Sequence, residues 1–316
     1  MPELPEVETI RRGLEDHVVG RAIRSIEVRS PGSFLGDPTQ AEGAMITGLE
    51  RRGKLLIFRL NNDHALTIHL KMTGQLIWKA VEREEELPVE VDNATLPFSS
   101  SDPDDPALES DENEVVMGGH PEEAYLEPLP HKHTRVIIRF DDGSVLYFND
   151  LRKFGRVSVL RADQVADLPF LQAIGPEPLE RDFTDEYLSN QLDKHKDQPI
   201  KTFLLDQANI AGLGNIYADE SLFRAAILPD RPAGSLTAGE ICNLRDSIQE
   251  TLELALRAGG SSARDYVNAV GERGTYLKTA NVYHRQGLDC NRCNTGKIQR
   301  KKIGGRSTHY CPICQK

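Results

Sequence analysis

Four of the five cysteines fall in the last 27 residues, as Cys290-x2-Cys293 and Cys311-x2-Cys314. Two such knuckles separated by 17 residues bring four thiolates within tetrahedral reach of one Zn2+. A shell closed by four thiolates keeps no open position, so that metal would hold shape rather than do chemistry. Two disulfides are the competing reading, which a reducing cytosol disfavours. Arg292, Lys297, Arg300, Lys301, Lys302 and Arg306 crowd the same stretch. They form either a solvated face or, on a zinc ribbon, a contact for phosphates. The fifth cysteine, Cys242, stands alone in a helical pattern and reads as a small core residue.

The opposite end, Met1-Pro2-Glu3-Leu4-Pro5-Glu6, offers different chemistry. Methionine before proline is usually trimmed, which would leave Pro2 as a free secondary amine. An α-amino group titrates near about 8, well below lysine, so more of it is neutral and nucleophilic at neutral pH. Attack on a sugar C1′ would give an iminium, which is an electron sink, and Glu3 could protonate the ring oxygen as general acid. The bland reading of the same residues is a good helix start. In Ile210-Ala211-Gly212-Leu213-Gly214-Asn215, glycines join two helical patterns. That turn would present backbone N–H groups to a phosphate, although such turns also link helices in many folds.

The elements that must position these groups fall into three parts. Residues 2–14 have the spacing of an amphipathic helix, with Val7, Ile10 and Leu14 on one face. Strand-like runs follow at 22–29, 45–60, 64–79, 134–140, 144–149 and 155–162, the fourth and fifth joined through Asp142-Gly143. Gly175-Pro176-Glu177-Pro178 reads as a linker. Beyond it helical patterns occupy 184–195, 199–208, 215–226 and 237–258, the last opened by a Thr237-x-x-Glu240 capping box. The predicted class is α+β: an N-terminal β-sandwich with a flanking helix over 1–175, a helical domain over 181–276 and a zinc ribbon over 281–316.

The net charge of −11, spread evenly, would exclude a polyanionic partner, but the acid is concentrated. Residues 81–130 hold 16 Asp/Glu against one Arg, whereas 276–316 hold nine Lys/Arg against one Asp. The body that a phosphate backbone would meet is therefore basic. The acidic stretch lacks apolar periodicity and reads as a largely disordered insertion whose partner, if any, is unspecified. No apolar run has membrane-spanning length and no signal-peptide pattern opens the chain, so a cytoplasmic protein is expected.

Several ordered segments resemble bacterial formamidopyrimidine-DNA glycosylases. They are Pro2-Glu3-Leu4-Pro5-Glu6-Val7-Glu8-Thr9, His69-Leu70-Lys71-Met72-Thr73-Gly74, and the run Leu213-Gly214-Asn215-Ile216-Tyr217-Ala218-Asp219-Glu220-Ser221-Leu222-Phe223. Gly259-Gly260-Ser261-Ser262-Ala263-Arg264-Asp265-Tyr266 and Gly305-Arg306-Ser307-Thr308-His309-Tyr310-Cys311-Pro312 complete the set. The likeness covers the chain outside 81–130. It implies a bifunctional glycosylase and abasic-site lyase that cuts oxidised purines from duplex DNA, with a helix–two-turn–helix domain and one structural zinc on Cys290, Cys293, Cys311 and Cys314.

The resemblance also implies roles. Pro2 would be the Schiff-base nucleophile, Glu3 the general acid, Lys54 a proton shuttle in β-elimination and Arg306 the phosphate grip used in δ-elimination. Asn215, His133, Arg152 and Lys196 would contact DNA. Met72, Arg152 and Phe154 would fill the gap left by an everted nucleotide, since a wedge offsets part of the unstacking cost. Taken singly, Met72 and Phe154 read as core residues. Asp150-Leu151-Arg152-Lys153-Phe154-Gly155 departs from the family's Asp-Pro-Arg-Arg-Phe-Gly, which loosens the loop and removes one guanidinium. A monomer on damaged duplex DNA, with no redox or nucleotide cofactor, is the expected state. Three alternatives remain: a sister glycosylase for oxidised pyrimidines, a non-catalytic zinc-ribbon DNA-binding protein on the same scaffold, and an unrelated zinc-ribbon transcription or RNA factor, which would leave the first 80 residues unaccounted for.

Overall fold

Pro5 in the first turn and the acid Glu6 beside it start helix α1, Leu4–Val18, which buries Val7, Ile10, Leu14 and Val18 along one face. The computed structural model describes residues 2–81, 115–119, 128–261 and 274–316. In it, ten strands follow α1: β1 (Ile23–Val28), β2 (Phe34–Leu35), β3 (Ile46–Arg52), β4 (Leu55–Leu60), β5 (His64–His69), β6 (Gly74–Lys79), β7 (Val115–Gly119), β8 (Thr134–Phe140), β9 (Val145–Asp150) and β10 (Arg156–Arg161). They make two five-stranded sheets, ordered β1-β8-β9-β6-β7 and β2-β10-β5-β4-β3. Ile26, Leu76, Val136 and Phe148 of one sheet share a core with Phe58, Leu66, Ile68 and Val157 of the other, and Val7, Ile10 and Leu14 of α1 join it. The predicted sandwich with its flanking helix is present.

The runs at 45–60 and 64–79 each divide into two strands. Gly53, at φ 56°, turns β3 into β4 through a two-residue loop shared with Lys54. Residues 70–73 turn β5 into β6. Both faces of β4 are buried, because helix α2 (Pro169–Ala173) places Phe170 and Leu171 over Leu55 and Ile57. That explains the unbroken apolar run Leu55-Leu56-Ile57-Phe58.

The acidic stretch is not devoid of structure, since its uncharged Val115-Val116-Met117-Gly118-Gly119 pairs antiparallel with β6, from Lys79↔Val115 to Gln75↔Gly119. A β-branched, uncharged pentapeptide beside an open sheet edge satisfies backbone groups that its acidic surroundings cannot. Residues 82–114 and 120–127, to which the disorder reading also applied, lie outside the described residues.

The linker is not slack either. Glu177 accepts hydrogen bonds from Arg51 Nη1 at 2.8 Å, Arg52 Nη1 at 3.0 Å and Gly53 N at 2.5 Å, so residues 175–178 clasp the β3–β4 turn. Beyond it come α3 (Asp185–Lys194), α4 (Ile200–Leu205), α5 (Asn215–Arg224) and α6 (Ala238–Arg257), the last with the Thr237/Glu240 capping box in place. Leu188, Phe203, Leu213, Tyr217, Leu222, Leu244 and Ile248 form their common core. Cys242 lies outside that core and is half-exposed, one residue beyond the buried Ile241 stripe of α6. The chain closes with hairpin β11 (Gln299–Ile303) and β12 (Arg306–Tyr310). Gly304 and Gly305 at its tip both have positive φ, as a type I′ turn requires. Among the described residues no helix is long and apolar enough to cross a membrane.

Candidate active site

The N-terminal residues are built into the junction between the sandwich and the helices. Leu4 N donates to Gly212 O at 3.0 Å. A side chain at Gly212 would strike Leu4, and one at Gly214 would lie 2.2 Å from Glu3 Cδ. The glycines of this turn therefore make room for residues 3 and 4. The free N–H expected to meet a phosphate is used internally, since Ile216 N at the start of α5 donates to Glu3 Oε1 at 3.1 Å. Pro2 is buried beside Glu3, which is only 4% exposed.

Glu6 holds this arrangement. Its Oε2 accepts from Glu3 N at 2.8 Å, and its Oε1 accepts from Tyr217 Oη and from Ser261 N at 2.7 Å. Three distant parts of the chain meet on one carboxylate. The sequence offered Glu6 only as a charge complementing the helix end.

Lys54 reaches the same junction from the β3–β4 turn and donates from Nζ to Leu213 O at 3.1 Å. Burial pushes its amine below the ordinary lysine range, against the attraction of Glu3 and Glu6, and Arg306 and Lys71 push the same way as burial. Burial likewise raises the Glu3 carboxyl, with Lys54 opposing and Glu6 assisting. Burial thus raises the carboxyl and lowers the amine, so each is shifted toward its neutral form.

Arg306 is exposed at the start of β12, and its hairpin is seated on the helices. Asn215 Nδ2 donates to Ser307 O at 3.0 Å, and Asp219 Oδ2 accepts from His309 N at 2.9 Å. Asp219 also pairs with the fully buried Lys201 at 2.7 Å, whose Nζ donates to Asn215 O at 2.8 Å. Glu220 accepts from the backbone N–H groups of Asn281, Val282 and Tyr283, each at 2.9 Å. Lys201, Asp219 and Glu220 went unassigned in the sequence. The signal was an acidic pair inside an otherwise apolar helix.

The four cysteine Sγ atoms all lie within 4.8 Å of one another, with Cys290–Cys314 at 3.7 Å and Cys293–Cys311 at 3.8 Å. Zn–S bonds of about 2.3 Å in a tetrahedron give sulfur separations near 3.8 Å, so the set fits zinc. Arg292 N and Gly296 N point at Cys290 Sγ and Cys293 Sγ at 3.4 and 3.3 Å, as suits thiolate acceptors. Four thiolates fill a tetrahedral shell, so a zinc ion held by them is structural.

Met72 and Phe154 are 38% and 56% exposed, which removes the core reading for both. Arg152 donates from Nη1 to Met72 Sδ at 3.4 Å, so the three proposed wedge residues occupy two adjoining turns. His133 is anchored beneath them, its carbonyl accepting from Asp150 N at 3.0 Å. His69 Nδ1 accepts from Lys71 N at 3.0 Å, and burial, with Lys71 and Lys54, holds its imidazole down to about 3. It is therefore a neutral acceptor under the Met72 turn, a role its motif did not reveal. Lys196 is set apart: it is exposed between α3 and α4, where it packs on Gly234.

Residues 1–157 match the formamidopyrimidine-DNA glycosylase N-terminal domain, and residues 174–267 match the formamidopyrimidine-DNA glycosylase H2TH domain. A formamidopyrimidine-DNA glycosylase of Desulfitobacterium hafniense is 38% identical over 320 residues, and one of Geobacillus kaustophilus is 39% identical over 323, each covering all of both chains. Among solved structures, a point mutant of Lactococcus lactis Fpg with Fapy-dG-containing DNA superposes over both whole chains with a TM-score of 0.79 at 35% identity. The L. lactis enzyme with abasic-site DNA gives 0.79 at 34% identity over 99% of each chain. The chain belongs to the formamidopyrimidine-DNA glycosylase family.

Proposed function

We propose that this glycosylase and abasic-site lyase frees oxidised purines from duplex DNA through Pro2. With Met1 removed, the neutral Pro2 nitrogen attacks C1′ of the damaged nucleoside, the N-glycosidic bond breaks with its electron pair leaving on the base, and the base takes up the proton that the Pro2 nitrogen sheds. Glu3 delivers its proton to the ring oxygen as the sugar opens, leaving the cationic iminium. Lys54 serves proton transfer as the C2′ proton is lost and the 3′ phosphate departs. Arg306 steadies the phosphates through loss of the second one. Met72, Arg152 and Phe154 fill the vacated stack, while His133, Lys196 and Asn215 contact the backbone. The observation that supports this reading is the Glu3 carboxyl, buried beside Pro2, raised by that burial and held within the field of Lys54.

Zinc, when bound by Cys290, Cys293, Cys311 and Cys314, supplies a fixed platform for Arg306 and takes no part in bond making. Domains at 1–175, 181–276 and 281–316, a monomeric state and a cytoplasmic location suit this role. Borohydride reduction on an 8-oxoguanine duplex tests the mechanism. The wild-type chain yields a covalent species that Pro2→Gly largely loses, and equal trapping by both would move the nucleophile elsewhere.

A further inference from the structure

The two turns that carry the wedge residues are joined by one buried hydroxyl. Thr73 is 6% exposed, and its Oγ1 donates to Asp150 Oδ1 while accepting from Arg152 N at 3.0 Å. A hydroxyl can do both at once, which few side chains of this size can. Asp150 is fully buried, and its carboxylate also accepts from Gly155 N at 2.7 Å and Arg152 N at 3.2 Å, which closes the β9–β10 turn around Arg152, Lys153 and Phe154. On the other side Thr73 follows Met72 directly and immediately precedes β6, whose first residue, Gly74, pairs with Asp150.

Each turn also holds a non-glycine residue in the left-handed region, Lys71 at φ 53° and Lys153 at φ 58°. Such residues persist only where the surroundings over-determine them. His69 Nδ1 fixes Lys71 from below, and the Asp150 carboxylate closes the turn around Lys153. Thr73 is the point at which the two restraints meet.

We infer that Thr73 is a positioning residue that couples the Met72 turn to the Arg152–Phe154 turn, so that the three side chains enter the DNA stack as one unit and read the base opposite the lesion together. This rests on the wedge reading of Met72, Arg152 and Phe154.

The test is a double-mutant cycle on full-length protein. It is read as the ratio of kcat/KM for 8-oxoguanine opposite cytosine to that opposite adenine, with melting temperature measured for every variant. Thr73→Val keeps the shape and removes the hydroxyl, and is expected to lower the ratio at least fivefold. Thr73→Ser, which keeps the hydroxyl, stays within twofold of wild type. Arg152→Ala lowers the ratio by itself, and adding Thr73→Val to it causes no further loss, because the brace acts through Arg152. A Thr73→Val loss that adds in full to that of Arg152→Ala overturns the coupling and leaves the wedge intact. So does a Thr73→Ser variant as impaired as the valine. If Arg152→Ala leaves the ratio unchanged, it is the wedge reading that falls, and the brace loses its purpose with it.

Discussion

Gly214→Ala should separate the two activities of this enzyme. The added Cβ would stand 2.2 Å from Glu3 Cδ and 2.5 Å from Oε1, whereas carbon atoms settle at about 3.5–4.0 Å. The Gly214 backbone is tied into α5, because Ala218 N donates to its carbonyl at 3.0 Å, so the Glu3 carboxyl must give way by more than about 1 Å. That movement breaks the 3.1 Å bond from Ile216 N and takes the acid away from the sugar. General acid catalysis is worth about 10²–10⁴-fold, and a displacement of about 1 Å can cost 10²-fold. Excision of intact 8-oxoguanine should therefore slow by about 100-fold, near 2.7 kcal/mol of barrier. A preformed abasic site is a hemiacetal that opens to its aldehyde spontaneously in water, so its ring oxygen does not depend on an acid delivered by the enzyme. Strand cleavage there should stay within about tenfold, since Pro2 and Lys54 remain in place. Single-turnover kinetics on the two duplexes, with melting temperature as a folding control, read the difference. Equal loss on both substrates at unchanged stability, or no loss on either, would refute the placement of Glu3.

Three further outcomes are expected. Because burial raises the Glu3 carboxyl above its ordinary 4.5, the contribution of its protonated form is complete below that raised value and lost as pH rises through it. The pH–rate profile for excision should show this alkaline fall and cleavage of preformed abasic sites should lack it; the same limb on both would assign it to another group. Stripping the metal with a strong chelator, or Cys293→Ser, should weaken lesion-duplex binding by more than tenfold in anisotropy titrations, since Arg306 loses its platform, and unchanged affinity would count against that role. Lys79 pairs with Val115, so Asn-Gly in place of residues 80–114 closes β6 and β7 as a two-residue hairpin and removes thirteen Asp/Glu with one Arg. DNA affinity should rise severalfold at 50 mM salt and converge with wild type near 0.5 M, as screening shortens to a few ångströms; a gain that ignores salt would not be electrostatic.

The sequence displayed most clearly what depends on local spacing. Apolar runs located eight of the ten sandwich strands, two pairs of them fused, the Thr237/Glu240 box opened α6, and two Cys-x2-Cys knuckles predicted the thiolate cluster. Groups whose meaning is set by residues far along the chain were harder to read. Glu6 looks like a helix-end charge until Tyr217 and Ser261 arrive. Gly212 and Gly214 look like a phosphate turn until residues 3 and 4 fill it. Glu177 sits in a Gly-Pro-Glu-Pro stretch whose composition suggests slack, yet its carboxylate has two guanidinium partners supplied by another hairpin. Strand β7 was hidden for a different reason: five uncharged residues average away within a strongly acidic neighbourhood, and only the open edge of β6 gives them a place.

The convergence of residues 3, 217 and 261 on the Glu6 carboxylate bears on the life of the polypeptide as it is made. A ribosome delivers the amine and the sandwich first, and the helices that orient them come later. Until Tyr217 and Ser261 have been synthesised and docked, Glu6 lacks two of its partners and the N-terminal residues lack their seat. On the proposed mechanism, the seat of the nucleophile is thereby completed only in the last stage of folding.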